Sequence, residues 1–319
     1  MNLLNALTGL YGKLHNYPCV PFWVLTPFRK ATRGLANAFL PYYLSKLHKK
    51  RQLNGKDVII SFTSFPARIN DVWKVVESLK SQTVKPERIL LWLSREQFPV
   101  VESIPQSLKE CEDEMFEIRM VDGDIRSHKK YYYVMQEYPE KTFVTCDDDV
   151  YYHPKMLESL IKTSRMFPGC ICANVTSQMS FNENGELLPY LQWKCDKKPY
   201  SSENNVQIGI GGVLYPPHCL NDNVLNKDLF WKLAPMADDL WLSLMARLNN
   251  IPVVQTPHNL LPLPVEIEAP SLSSINNGVE NMNDQQIRQM REWLKTEKLP
   301  DVYASEYKVK SEKGVFNDM

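Results

Sequence analysis

A mostly parallel β-sheet flanked by helices is the architecture this sequence predicts, preceded by a basic extension at residues 1–56. Three observations carry it. Four short β-rich runs alternate with helical periodicities between Asp57 and Cys146, the pattern of βαβ units. The fourth run leads straight into Asp147, Asp148 and Asp149. The charge is also segregated: residues 1–56 hold nine Lys or Arg and no Asp or Glu, although the 319-residue chain balances 37 basic against 37 acidic side chains. Residues 57–319 are therefore net acidic by nine.

The length is ample for a buried core. An apolar fraction of 44% and a charged fraction of 23% exclude disordered and collagen-like chains. No run approaches the ~18–20 apolar residues that a bilayer-spanning helix needs. The neutral total argues against a nucleic-acid binder working by bulk charge. Seven cysteines are an odd number without paired CxxC spacing. They read as reduced thiols packed as small hydrophobes, with Cys170-x-Cys172 fitting an alternating strand better than a ligand pair. The start lacks the basic segment, apolar run and small-residue cleavage site of a secretory leader, so a cytoplasmic location is expected.

In the leader, residues 17–28 are interrupted by Pro18, Pro21 and Pro27, which excludes a long helix there. Residues 35–47 are apolar and aromatic and are followed by Lys49, Lys50 and Arg51. Such a leader suits the surface of an anionic membrane, where each cation near the headgroups contributes about 1 kcal/mol. Packing against the main domain, with solvated cations, is the alternative. Val58–Thr63 is the first strand. Val72, Val75, Val76 and Leu79 share one face of a helix over 71–81, with Asn70 or Asp71 available as its cap. Strands follow at Arg88–Ser94, Phe116–Val121 and 142–146, separated by helices near 104–111 and 130–137. Sheets of this kind bind ligands at the carboxyl ends of their strands.

Three adjacent carboxylates repel one another, and strand packing does not ask for them. A divalent cation with bound phosphates would relieve the repulsion, and hard oxygen donors suit Mn²⁺ or Mg²⁺. In extended backbone Asp147 and Asp149 point the same way. A solvated acidic turn is the alternative. A calcium loop counted from Asp147 fails, because Tyr151 stands where a ligand is needed and Tyr152 where glycine is needed.

Taken in order, these elements resemble the nucleotide-diphospho-sugar glycosyltransferases of the GT-A fold, closest to bacterial family 2-like polysaccharide glycosyltransferases. The resemblance spans residues 57–262. It rests on Ser61-Phe-Thr-Ser-Phe-Pro-Ala-Arg-Ile69, Ser81-Gln-Thr-Val-Lys-Pro86, Arg126-Ser-His-Lys-Lys130, Asp147-Asp-Asp149 and Ala237-Asp-Asp-Leu-Trp241. It implies a Rossmann-like GT-A sheet with a nucleotide-sugar half at 57–152 and an acceptor half at 153–262. Residues 263–319 would add a C-terminal loop and helix. By this resemblance Asp147 and Asp149 match the DxD aspartates. Asp149 would hold the metal bridging the diphosphate, Asp147 would contact ribose or metal, and Asp148 belongs to the same cofactor-binding motif. Thr63, Pro66 and Arg68 would approach the base and ribose. Lys129 and Lys130 would serve the diphosphate or base, one of the two being merely solvated. His258 stands where some such enzymes place a third metal ligand.

Gly209, Gly211 and Gly212 concentrate in the run 207–217. No Lys-Ser/Thr follows and Pro216-Pro217 prevents a helix start, so this is not a phosphate-cradling loop. Gly211 and Gly212 read instead as a close backbone approach to an acceptor sugar. Asp238 and Asp239 open an apolar helix, and at least one is expected to cap it. The resemblance makes the same pair the source of a catalytic base, with Asp239 slightly favoured and Asp238 the alternative. Trp241 is assigned either to the acceptor sugar or to the core. A polar loop over 273–283 and a helix over 284–295 form a candidate lid.

The resemblance thus implies a metal-dependent, inverting glycosyltransferase of hexosyltransferase type. Its partners would be a nucleotide-sugar donor, a UDP-sugar by preference, and a glycan or lipid-linked acceptor in surface polysaccharide synthesis. It would work at the inner face of the cell membrane, with no nucleic-acid partner. One alternative is a nucleotidyltransferase on a related fold, which ordinarily needs a glycine- and basic-rich loop where this chain has Ser64-Phe-Pro-Ala-Arg68. The other is a non-catalytic membrane-associated scaffold. The residues do not specify sugar, nucleotide, acceptor or linkage, and a retaining outcome stays open.

Overall fold

Strands β1 (Val58–Thr63), β2 (Arg88–Ser94), β3 (Phe116–Val121) and β4 (Thr142–Thr145) form at the β-rich runs of the sequence. The computed structural model describes residues 2–15, 22–47, 57–100, 103–194, 199–200, 204–257, 260–267 and 281–309. These four strands join β6 (Ile171–Ala173), β9 (Val213–Tyr215) and β10 (Val253–Gln255) in a seven-stranded sheet of order β10-β6-β9-β4-β1-β2-β3. Every neighbouring pair is parallel except the two made by β9, which runs against β4 and β6. The sheet is mixed α/β, mostly parallel and Rossmann-like. Between β4 and its sequel lies the short β5 (Val150–Tyr151), paired with β11 (Leu263–Pro264); β7 (Thr176–Gln178) pairs with β8 (Asn205–Gln207).

Alternation along each strand splits the core into two layers. Ile60 and Phe62 of β1, with Leu91 and Leu93 of β2, join one cluster beneath α3 (Val72–Lys80) and α6 (Met156–Met166). Ile59, Leu90 and Trp92 join the other beneath α5 (Lys129–Glu137) and α8 (Asp238–Leu248). A short α4 (Gln106–Lys109) and α7 (Lys227–Leu233) complete these layers. The C-terminal helix α9 (Met282–Thr296) buries Ile287, Met290 and Leu294 in the second cluster with Val302 and Tyr303. It is therefore a core element; the loop residues expected as a lid at 273–280 lie outside the described residues.

The leader departs from expectation. Helix α1 spans Leu3–His15, and α2 runs for 26 residues over Phe22–Leu47 with Pro27 and Pro41 inside it. A proline removes one backbone bond, to Trp23 for Pro27 and to Asn37 for Pro41. The helix persists because its inner face is anchored: Ala36, Leu40 and Leu44 are fully buried in the same cluster as Ile60, together with Leu4 of α1. Asn37 fastens α2 further, donating to the Pro264 carbonyl at 3.1 Å and accepting from the Glu266 amide at 2.8 Å. Residues 48–56, with the Lys49-Lys50-Arg51 cluster, lie outside the described residues. No described helix is long and apolar enough to cross a membrane.

Candidate active site

Strand order reverses between β1 and β4, with Ser61 opposite Thr145. Side chains leaving the carboxyl ends of these two strands therefore diverge around a crevice. A cleft of about 290 Å³ opens there, lined by Thr63, Phe65 and Arg68 from the β1 end, Asp147–Asp149 from the β4 end, and Asp238 and Asp239 from α8.

Extended backbone after β4 sends the triplet to alternate sides. Asp147 and Asp149 keep 30% and 27% of their side chains exposed toward the cleft, whereas Asp148 keeps 7%. Asp148 faces inward, accepting a hydrogen bond from Ser64 Oγ at 2.5 Å and pairing with Arg68 Nη1 at 2.6 Å. Both its oxygens are thus occupied by the loop after β1. Asp148, which the sequence groups with the cofactor-binding residues, thus ties the two strand ends together. Arg68 also reaches Asp149 Oδ2 at 3.0 Å. Burial raises the Asp149 carboxyl to about 6, Asp147 adds to the rise, and Arg68 opposes it.

The two lysines diverge because they are neighbours on the first turn of α5. Lys129 pairs with Asp124, away from the cleft. Lys130 lies between Asp147 Oδ1 at 2.9 Å and Asp238 Oδ2 at 2.8 Å. Neither is solvated, at 2% and 4% exposure. Burial would lower the Lys130 ammonium, but Asp147, Asp238 and Asp239 outweigh it and hold it well above its ordinary value.

The residue before α8, Ala237, occupies the cap position and makes no side-chain cap bond; neither aspartate caps the helix. They are divided instead by their partners. Burial alone would raise Asp238, yet Lys130 holds it below its ordinary value. Asp239 accepts from the Gly209 amide at 2.9 Å. Burial, and then the neighbouring Asp238 charge, push the Asp239 carboxyl up to about 7.

Gly209, rather than the two glycines after it, is the close approach that matters. A Cβ there would stand 2.9 Å from Lys130 Nζ, 3.0 Å from Asp239 Oδ1 and 3.4 Å from Asp147 Oδ1. Gly211 and Gly212 face Val175 and Met156, and Gly212 has φ +82, so packing and backbone conformation account for both. Trp241 is fully buried, its indole donating to the Val224 carbonyl at 3.1 Å, and belongs to the core. Pro66 is exposed and outside the cleft lining. Thr63 lines the cleft while its hydroxyl donates to Trp92. His258 lies outside the described residues. Sequence reasoning missed Phe65, Gly209, Tyr190, Met236 and Asn283, all of which line or shape the cleft. Of these only Gly209 carried a local signal, as the first glycine of its run. Tyr190 arrives through its amide bond to Asp284 of α9, a contact without a sequence pattern.

Among the described residues no group of three or more His, Cys, Asp or Glu side chains could hold a metal ion. Asp147 and Asp149 offer two hard oxygen donors on one side of the cleft. Among the described residues, the five carboxylates that line the cleft share it with two cations, Arg68 and Lys130. This donor set fits a cation that takes its remaining ligands from phosphate oxygens and water, as Mg²⁺ does.

No protein-family model and no curated protein sequence matches the chain. Among solved structures, HddC from Yersinia pseudotuberculosis complexed with GMP-PN is 11% identical, with a TM-score of 0.34 over 50% of this chain and 76% of that one. Apo UDP-glucose pyrophosphorylase is 10% identical, with a TM-score of 0.38 over 76% of this chain and 100% of that one. Neither is a glycosyltransferase. The hexosyltransferase expectation is therefore withdrawn, and likenesses this distant carry no activity over to this chain.

Proposed function

We propose that this chain is a metal-dependent transferase acting on a nucleotide-diphosphate substrate such as a nucleotide sugar. One observation carries the reading. Asp147 and Asp149, partly open to the cleft, face Asp239, a carboxyl held near neutrality across the same space before Gly209. A carboxyl poised there accepts a proton near neutral pH, as activation of an incoming hydroxyl or phosphate requires. A divalent cation bound at Asp147 and Asp149 would supply charge neutralisation for the diphosphate. Arg68 and Lys130 hold these carboxylates in place, and Thr63 and Phe65 line the remaining wall at the β1 end.

The nucleotidyl-transfer alternative has one observation against it and one comparison beside it. The loop after β1 offers a single cation, Arg68, already paired with Asp148 and Asp149, where a triphosphate needs free ones. Product analysis separates the two bonds. The full chain is incubated with a panel of nucleotide sugars and Mn²⁺, with and without pyrophosphate, and phosphorus-containing products are resolved. Nucleoside diphosphate marks breakage at the sugar carbon; nucleoside triphosphate formed from added pyrophosphate marks chemistry at phosphorus. Metal-dependent turnover of neither kind, or turnover unchanged in Asp149→Ala, defeats the proposal.

We also propose that the protein binds an anionic membrane surface. Trp23, Phe28, Leu35, Phe39 and Tyr42 of α2 are 52–76% exposed, and Lys46 lies 5.0 Å from the Tyr42 ring centroid. Exposed aromatics beside cations, on helices without an acid, suit headgroups. Salt-sensitive sedimentation with phosphatidylserine vesicles, lost in the Phe28→Ser/Phe39→Ser variant, is the expected result; equal sedimentation of the variant defeats it.

A further inference from the structure

A second cavity, of about 360 Å³, flanks the cleft. Ile125 and Trp231 line it together with two acids, Asp124 and Asp228, and two amines, Lys227 and Lys232, and Phe230 lies beneath them. Phe230 is fully buried, yet Trp231 beside it on α7 leaves 44% of its surface exposed. The Arg126 guanidinium lies over that indole, 4.9 Å from the ring centroid.

Arg126 marks the boundary between the two hollows. Its backbone is in the left-handed region, with φ 53, where non-glycine residues carry strain and function often resides. Asp124 Oδ1 holds it there by accepting its amide at 2.9 Å. Its Nη1 reaches Met236 Sδ at 2.6 Å, and Met236 lines the cleft. The next residue, Ser127, lines the cleft as well, while the preceding Ile125 lines the second cavity.

We infer that this second cavity is a saccharide subsite, with the Trp231 indole as its stacking platform, seating the transferase's second substrate beside the cleft. A sugar ring offers a C–H face and a girdle of hydroxyls. An exposed indole meets the face, and a rim holding both an acid and amines meets the hydroxyls. An anionic polymer would call for a rim of one sign, and Asp228 stands between Lys227 and Lys232. The role as second substrate rests on the nucleotide-sugar transferase reading; the saccharide site does not.

The test uses the full chain with the methyl glycosides of glucose, galactose and N-acetylglucosamine, observed by saturation-transfer NMR and titrated for Kd. Transfer to the ring protons of at least one glycoside is expected. Trp231→Ala should raise its Kd about tenfold, the loss typical of an aromatic anchor, and Trp231→Phe less. Binding of UDP with Mn²⁺ should stay within about twofold in Trp231→Ala, because Trp231 is outside the cleft lining. Absence of transfer from every glycoside, an unchanged Kd in Trp231→Ala, or displacement of the glycoside by UDP overturns the subsite. Glycoside binding that persists where UDP with Mn²⁺ fails to bind supports the subsite and removes the donor reading instead.

Discussion

Lys130 and Asp238 form a buried ion pair at 2.8 Å, and this pair separates the roles of two adjacent aspartates. With Asp238 held ionised by Lys130, its negative charge and the surrounding burial leave Asp239 as the carboxyl that titrates near neutrality. A helix opening with two acids thereby acquires one fixed charge and one exchangeable proton.

Replacing Lys130 by Met strands Asp238 and Asp147 without their shared cation. Breaking a buried pair from one side costs about 3–5 kcal/mol. Urea unfolding should show that loss for Lys130→Met, and the added Asp238→Asn substitution should recover part of it. A single variant as stable as the parent would mean that water reaches the pair.

Asp239 links stability and activity to pH with opposite signs. Its folded-state value near 7 exceeds its ordinary 3.8, so the native state retains a proton that the unfolded chain releases. Its contribution is complete below 3.8 and is lost as pH rises through about 7. Turnover should instead rise with an acid limb near pH 7, since the base must be ionised. Asp239→Asn should flatten the stability profile between those values and lower kcat by about 10²–10⁴-fold. Full turnover in Asp239→Asn would exclude it as base.

Gly209→Ala should damage the site more than the fold. The added methyl meets Lys130 Nζ, Asp239 Oδ1 and Asp147 Oδ1 within 3.4 Å, so the ammonium and carboxylates must retreat. Overpacking of this kind costs about 1–3 kcal/mol. Thermal unfolding should fall modestly, with turnover down by about 10²-fold as the carboxylates leave register. Unchanged turnover would show that the close approach is incidental.

Trp241→Ala tests the reassignment of that residue to the core. Removing a fully buried indole, and the donor to Val224, should cost about 3–5 kcal/mol in denaturant unfolding. KM for any substrate should be unchanged in the fraction that stays folded. A raised KM with intact stability would return Trp241 to the site.

Strand positions and the parallel sheet were legible because they depend on local apolar runs and their spacing. So was the acidic triplet, whose charge repulsion is visible wherever it lies. Asp148 was not separable from its neighbours by pattern, because Ser64 and Arg68 claim it across 80 or more residues. The unbroken α2 escaped the sequence argument for a related reason. Pro27 and Pro41 carry a local penalty that only the buried contacts of Ala36, Leu40 and Leu44 outweigh.

The order of strands along the chain, the place of the carboxylates at a strand end and the acid-free charge of the leader belong to the sequence alone. Tertiary structure decided which carboxylate titrates, which lysine enters the cleft and which glycine makes room for them. Burial and ion pairing shift a charge by its surroundings, and those surroundings are assembled from β1, α5, the Gly209 turn and α8, segments distant in sequence that meet at the carboxyl ends of the central strands.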